Sequence, residues 1–250
     1  MRLPLVTSHA ACKGHAPENT LVGIERALSL GADAIEIDVH CTSDRVPVLI
    51  HDDLVDRTTD GAGSIHEMTL AVAQSLDAGA RQFVPRFQGA KIPTLAAVLE
   101  LTRGKVLLQI EIKQPDIEEE VARVVRDAGA IGDCETHSFH HRVVKRMREV
   151  EPRMASALLS DGRRIVEWSD FFGFALSLGA QGISMYHAFA TPAVVRQGQL
   201  RSLTFMTWTV DDEADMEKMC DAGVDSICSN FPDIVRRVVD PRASAGRGRR

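Results

Sequence analysis

Glu36 and Asp38 stand two residues apart in the mostly apolar, β-branched run Ala32–Cys41, ADAIEIDVHC. Residues two apart on a strand project from the same face, so two carboxylates point the same way from an element suited to burial. Val46–Ile50 is a second apolar strand and runs into His51. The short connection Thr42–Arg45 permits only an antiparallel hairpin, because parallel neighbours need a crossover of about a dozen residues or more. A turn centred near Ser43 and Asp44 sets His51 opposite Glu36. Val106–Ile112, VLLQIEI, is a further strand, with Glu111 and the following Lys113 on one face. A single acid near a strand end is usually solvated. Several acids gathered with a histidine on facing strands point instead to a bound cation, since unpaired charges are seldom buried.

Three carboxylates suit a hard divalent cation, Mg²⁺ or Ca²⁺, better than zinc, which prefers Cys and His. Lys113 beside that cation makes a place for an anion. Two histidines flanking it, His9 and His51, could serve as general base and general acid. Phosphoryl transfer uses such a set, because it needs charge neutralisation and proton movement more than a covalent nucleophile. No nucleophilic serine or cysteine elbow is visible.

These residues need elements to hold them. Strand-like segments begin near Leu3, Asp33, Val106, Thr136, Met154, Gly182, Thr204 and Asp225, and helical patterns alternate with them. The predicted helices include Leu21–Leu30, Leu95–Thr102, Ile117–Ala128, His141–Val150, Arg164–Leu178, Pro192–Gln199 and Asp211–Ala222. Eight parallel strands with intervening helices describe an α/β fold, a (β/α)8 TIM barrel, with Val46–Ile50 as an antiparallel extra. An open doubly wound sheet is disfavoured by the lack of a glycine-rich dinucleotide turn. The expected organisation is one barrel domain over residues 1–240, a small cap inserted after the second strand at 46–94, and a disordered basic tail at 241–250. His9, Glu36, Asp38, Glu111, Lys113 and Trp208 fall at or near the C-terminal ends of their strands, where barrel enzymes carry their chemistry. Trp208 is placed to line the pocket.

Composition sets the outer bounds. At 250 residues and 44% hydrophobic content the chain can bury a full core. A net charge of −6 argues against a nucleic-acid surface. No apolar run approaches the roughly 18 residues that span a bilayer, and the N-terminal residues lack a signal-peptide apolar region. Five scattered cysteines without metal spacing read as reduced thiols, consistent with a cytoplasmic protein.

The residues resemble the glycerophosphodiester phosphodiesterases, metal-dependent barrel enzymes of the phosphatidylinositol-phospholipase-C-like group. The resemblance rests on Ala16–Leu21 (APENTL), Leu30–Val39 (LGADAIEIDV), Val46–Asp53 (VPVLIHDD), Asp56–Gly63 (DRTTDGAG), Ile92–Leu95, Ile110–Lys113 (IEIK), Ser138–Phe139, Thr207–Val210 (TWTV) and Gly223–Asp233. It covers nearly the whole chain in family order. It implies metal ligation by Glu36, Asp38 and Glu111, acid–base roles for His9 and His51, phosphate contact by Lys113, and a substrate pocket walled by Trp208. The reaction implied is hydrolysis of a small-molecule glycerophosphodiester to sn-glycerol 3-phosphate and an alcohol. A lysophospholipid or sugar phosphodiester substrate, or a non-catalytic phosphodiester-binding role, are the alternatives.

Two positions depart from the family pattern. Where the family opens with His-Arg-Gly, this chain reads His9-Ala10-Ala11, the register fixed by the distance from His9 to Pro17; a competing register puts Cys12 in place of the histidine. Lys13, in the same loop, is the nearest cation able to replace the missing arginine at the phosphate. Ser229-Asn230 stands where the family more often has Thr-Asp. Glu18 is a weaker candidate for the metal site, His187 for the pocket; Arg57 is expected to be structural, and His66, His140 and His141 to lie on the surface.

Overall fold

The structure, a computed structural model, describes residues 3–247, with side chains to residue 242. The chain alternates strand and helix from the start: β1 (Leu5–Ser8), α1 (Leu21–Ser29), β2 (Ala34–Cys41), then the hairpin strand β3 (Pro47–Leu49). The cap carries α2 (Leu70–Ser75), and after it come α3 (Leu95–Thr102), β4 (Leu107–Ile112), α4 (Glu118–Asp127), β5 (Cys134–Ser138) and α5 (His141–Val150). The second half adds β6 (Ala155–Ser160), α6 (Trp168–Ser177), β7 (Gly182–Tyr186), α7 (Pro192–Gln199), β8 (Thr204–Trp208), α8 (Glu213–Ala222), β9 (Ser226–Ser229) and α9 (Pro232–Arg247).

β1 pairs in parallel with both β9 and β2, so the sheet closes, and among the strands of the described residues only β3 runs antiparallel. This is a (β/α)8 TIM barrel. Alternation along the strands divides lumen from shell. On β2, Ile35, Ile37 and Val39 pack outward with Ile24 and Ala27 of α1 and Val98 and Leu99 of α3. Glu36 and Asp38, at the alternate positions, are left to the lumen, where Asp38 stands beside Glu111 of β4 in the register.

The cap has its own small core, in which Val48 and Ile50 of the hairpin meet Val55, Ile65, Ala73, Ala78 and Ile92. The first loop of the cap folds back on itself: Ile65 N–H donates to the Asp53 carbonyl (2.9 Å) and Val55 N–H to the Gly63 carbonyl (3.0 Å). At the other end of the chain, α9 continues through most of the stretch expected to be a tail. Alanine and arginine in that segment favour helix, and residues 248–250 lie outside the described residues, as do Met1 and Arg2. Among the described residues, no helix is long and apolar enough to cross a membrane.

The hairpin register differs by one residue from the expected one. Val39 faces Leu49 and His40 faces Val48, which puts the turn centre at Asp44 and aligns His51 with Ile37 rather than Glu36. Arg45 takes a positive φ of 60° in that turn, where the loop between the paired Thr42 and Val46 holds three residues rather than two. His51 nevertheless reaches the lumen, because β3 ends at Leu49 and the chain is free to turn inward after it.

Candidate active site

A cavity of about 200 Å³ opens at the C-terminal end of the barrel, lined by His9, Glu36, His51, Glu111, Lys113 and Trp208 among others. Six residues chosen for their chemistry thus share one cavity. Ligand atoms of Glu36, Asp38 and Glu111 lie within 4.8 Å of one another.

Each carboxylate is held from a different direction. The Ala10 N–H donates to Glu36 Oε2 at 2.7 Å. Glu36 Oε1 is buried and has no partner. Asn19 grips Asp38 twice, its Nδ2 donating to Oδ2 (2.8 Å) and its Oδ1 accepting from the Asp38 N–H (3.0 Å). Asn19 does so from a left-handed backbone, φ 55°, a conformation asparagine tolerates better than most residues. Lys113 Nζ reaches Glu111 Oε1 at 2.9 Å and Asp38 Oδ1 at 3.5 Å.

Electrostatically the cluster is short of positive charge. Burial, reinforced by Asp38 and Glu111, pushes the Glu36 carboxyl well above its usual range. Burial and then Asp38 also raise the Glu111 carboxyl. Burial would lower Lys113, but Glu111 and Asp38 outweigh it and raise the ammonium instead. One lysine against three buried carboxylates leaves a negative excess that a divalent cation would balance. The all-oxygen donors and the partnerless Glu36 Oε1 fit such an ion.

Both histidines are oriented by a second residue. His9 Nδ1 and Asn230 Oδ1 are 2.8 Å apart, and Asn230 Nδ2 in turn donates to Asp211 Oδ2 at 2.6 Å. With Nδ1–H on Asn230, the Nε2 lone pair of His9 faces the cavity, 3.9 Å from Glu36 Oε2. Burial lowers the His9 pKa, which keeps the ring neutral and able to accept a proton. His51 Nδ1 lies 2.6 Å from Asp52 Oδ1, and its Nε2 lies 3.3 Å from Lys113 Nζ. Arg57 holds Asp52 from behind, donating from Nε at 2.5 Å, and keeps that carboxyl at about 2.

The loop after β1 carries both His9 and the competing Cys12. Cys12 is fully buried in the shell of the barrel, packed among apolar side chains, while His9 lines the cavity. Gly14 is confined by its neighbours, since a Cβ there would stand 2.4 Å from the Asn230 carbonyl. Ala10 and Ala11 both take positive φ, 45° and 67°.

Lys13 does not join the others in the cavity. Its ammonium pairs with Glu18 Oε2 at 3.0 Å on the rim. Glu18 itself is not at the cation cluster: Arg57 clamps both of its oxygens, at 2.9 and 2.6 Å. His187 turns away too, into a separate groove with Asp215. Trp208 stacks edge-on against Phe139 (5.5 Å between centroids) and beside Tyr186 (5.8 Å), making an aromatic wall. His140 and His141 are exposed; His66 is partly buried against His40.

Several contributors were not anticipated from the sequence. His137, across the β4–β5 register from Glu111, lines the cavity and meets Glu135 at 3.2 Å. Its parity within β5 relative to Phe139 was the available signal. Asn19, Asp52 and Asn230 sit inside the quoted motifs, but nothing in their spacing says which side chain each one holds. All five cysteines are buried thiols, and burial raises Cys41 and Cys134 to about 12.

Residues 9–234 match the sequence model of the glycerophosphoryl diester phosphodiesterase family. A glycerophosphodiester phosphodiesterase of Caldanaerobacter subterraneus subsp. tengcongensis is 34% identical over 241 residues, covering 94% of this chain and 97% of that protein. The crystal structure of a glycerophosphodiester phosphodiesterase from Agrobacterium tumefaciens superposes with a TM-score of 0.84 at 30% identity, covering 94% of this chain and 100% of that one. An Oleispira antarctica phosphodiesterase solved in complex with its product sn-glycerol-3-phosphate gives a TM-score of 0.85 at 27% identity, over 95% and 97% of the two chains. The barrel, the cavity at its C-terminal end and these likenesses agree: the chain belongs to the glycerophosphoryl diester phosphodiesterase family.

Proposed function

We propose that this chain, a phosphoric diester hydrolase by family, hydrolyses a glycerophosphodiester to sn-glycerol 3-phosphate and a free alcohol with the help of Mg²⁺ or Ca²⁺. The observation that carries the proposal is the convergence of Glu36, Asp38 and Glu111 with Lys113 between two oriented histidines in one cavity. The product named for the Oleispira antarctica structure supports the same substrate class.

A divalent cation held by Glu36, Asp38 and Glu111 would supply charge neutralisation to the phosphate when bound. The chain's own groups do the rest. Lys113 binds a non-bridging phosphate oxygen as a point charge. His9 takes a proton at Nε2 from the attacking water, or from the glycerol 2-hydroxyl if a cyclic phosphate forms first and water then opens it, with Nδ1–H on Asn230 fixing the tautomer. His51 gives a proton to the leaving alkoxide from Nε2, while Asp52 at Nδ1 stabilises the imidazolium. Trp208, Phe139 and Tyr186 wall the side of the pocket and exclude water. Lys13 is retained as a rim cation able to swing to the phosphate. Glu18 keeps Arg57 on both oxygens, so it is not stranded when Lys13 leaves.

The test is release of sn-glycerol 3-phosphate from a panel of glycerophosphodiesters, lysophospholipids and sugar phosphodiesters. Glu36→Gln, Asp38→Asn and Glu111→Gln are each expected to lower kcat/KM by roughly 10²-fold or more, because removing a ligand should cost at least as much as removing its hydrogen-bonded support. Chelator should do the same to the wild type. Full activity in excess chelator would rule out the cation, and absence of the phosphate product on every substrate would rule out the hydrolysis.

A further inference from the structure

A second cluster lies outside the catalytic cavity, where the hairpin meets the first loop of the cap. His40 follows Asp38 by two residues, one step further out along β2. Its side chain meets Asp53, just past the hairpin, and His66, at the far end of the loop that Ile65 N–H closes onto the Asp53 carbonyl. One ligand atom from each of the three lies within 4.8 Å of the other two.

Hydrogen bonding fixes what these rings offer. His40 Nε2 lies 3.3 Å from the His51 carbonyl, an acceptor only, so Nε2 carries the proton and Nδ1 carries the lone pair. That Nδ1 is buried and partnerless, in a residue only 3% exposed. His66 Nδ1 lies 3.2 Å from the Cys41 carbonyl and its Nε2 lies 2.9 Å from Asp53 Oδ1, so the protonated ring donates to both, and an ion at Nε2 would take the place of that second proton. The His40 lone pair and His66 Nε2 converge on one carboxylate oxygen: Asp53 Oδ1 is 3.9 Å from His40 Nδ1 and 2.9 Å from His66 Nε2. That pair gives His40 Nδ1 no donor, and a cation among the three would give its buried lone pair a partner.

We propose that His40 Nδ1, His66 Nε2 and Asp53 Oδ1 form a second metal site, which takes a borderline transition-metal ion of the zinc class. Two imidazoles and one carboxylate are donors for Zn²⁺, not for the hard ions suited to the carboxylate cluster. Around an ion with bonds of about 2.0–2.1 Å, tetrahedral donor atoms stand roughly 3.3 Å apart, a spacing the two distances to Asp53 bracket. Each imidazole already has its other N–H on a backbone carbonyl, the arrangement that orients metal-bound histidines. Asp53 is open to solvent, so water completes the coordination. Through the His40 bond to the His51 carbonyl, the ion clamps the cap's first loop to the segment that carries the catalytic histidine.

The experiment uses the full chain, stripped of metal and then saturated with Mg²⁺ to fill the oxygen site. Co²⁺ and Zn²⁺ alone are the probes. One equivalent of Co²⁺ should produce the intense visible absorption of a tetrahedral nitrogen-ligated site, and one equivalent of Zn²⁺ should displace it. Asp53→Asn and His66→Gln should each weaken Co²⁺ binding by about tenfold or more, and Zn²⁺ should raise the Tm of the wild type but not of the variants. Both variants change side chains that reach solvent, and their melting in Mg²⁺ alone checks that they fold. Co²⁺ stoichiometry and spectra that are the same in wild type and both variants would overturn the proposal. So would the absence of a tetrahedral spectrum, which would leave His66 and Asp53 as an ordinary ion pair.

Discussion

His51 has one task in the proposed chemistry, and the leaving group can isolate it. A choline alkoxide needs a proton to depart, whereas p-nitrophenolate does not. His51→Ala is therefore expected to lose far more rate on glycerophosphocholine than on a p-nitrophenyl ester, and equal losses would remove the acid role. Lys13 is tested in the same way by its partner position. Lys13→Ala should lower kcat/KM roughly tenfold, and by much less once Ala10→Arg supplies a charged donor to the same phosphate oxygen, since two changes serving one atom couple. A silent Lys13→Ala in both backgrounds would leave Lys13 as a rim partner of Glu18 alone. That the proposed ligand and acid–base residues would gather at one end of the barrel was legible because strand alternation and barrel topology place them without knowledge of contacts. Their supports were not. The Asn230 that turns His9 toward the cavity is 221 residues away in the chain, and no local spacing records that pairing.

At the scale of the elements, the site depends on how the cap is fastened to the barrel. Arg57, on the cap, bridges Asp52 after the hairpin and Glu18 before α1, so one guanidinium ties three segments together. Glu18 is only 4% exposed. Burial raises its carboxyl, but Arg57 and Lys13 outweigh burial and bring it to about 2, below the usual 4.5. Asp52 is likewise held at about 2, below 3.8, by Arg57 first. Acids depressed in the folded state add stability above their unfolded pKa and lose it as pH falls toward 2. Arg57→Ala, which leaves Glu18 buried with only Lys13 and Gln82, is expected to destabilise the protein by roughly 1–3 kcal/mol near neutral pH. Urea melts should show the gap narrowing by about pH 3; a constant gap would mean that Arg57 acts by packing. Helices α3, α5 and α7 were predicted to their observed ends, because Thr94, a Pro-containing start or a change of polarity marks each boundary. The hairpin register was off by one, as a four-residue turn can close in more than one way and only the left-handed Arg45 decides it.

For the whole molecule, barrel closure is what gathers strands from both ends of the sequence, β1 against β9 and β2 against β4, around one charged mouth. That closure was legible in the eightfold strand–helix alternation, while the helical run to Arg247 was hidden by its tail-like composition. The carboxylate cluster itself needs the parallel pairing of β2 with β4 across the intervening cap, which sets Glu36 and Asp38 beside Glu111. The Glu36 and Glu111 carboxyls are raised by burial and by neighbouring carboxylates, and acids raised on folding favour the folded state below their unfolded pKa and lose that contribution as pH rises. The cation-free protein should therefore lose stability as pH rises above the ordinary carboxylate range, where the cluster ionises with Lys113 as its one nearby ammonium. Mg²⁺ or Ca²⁺ at about 100 times its Kd adds roughly 2.7 kcal/mol, or about 5–10 °C of Tm in a chain of this size. Because protons compete for the same oxygens, this increment should grow with pH. Melting curves with and without chelator across that rise in pH read it directly, and Glu36→Gln should flatten the dependence. An increment that is the same at every pH, in wild type and variant alike, would place the stabilising cation somewhere other than these carboxylates.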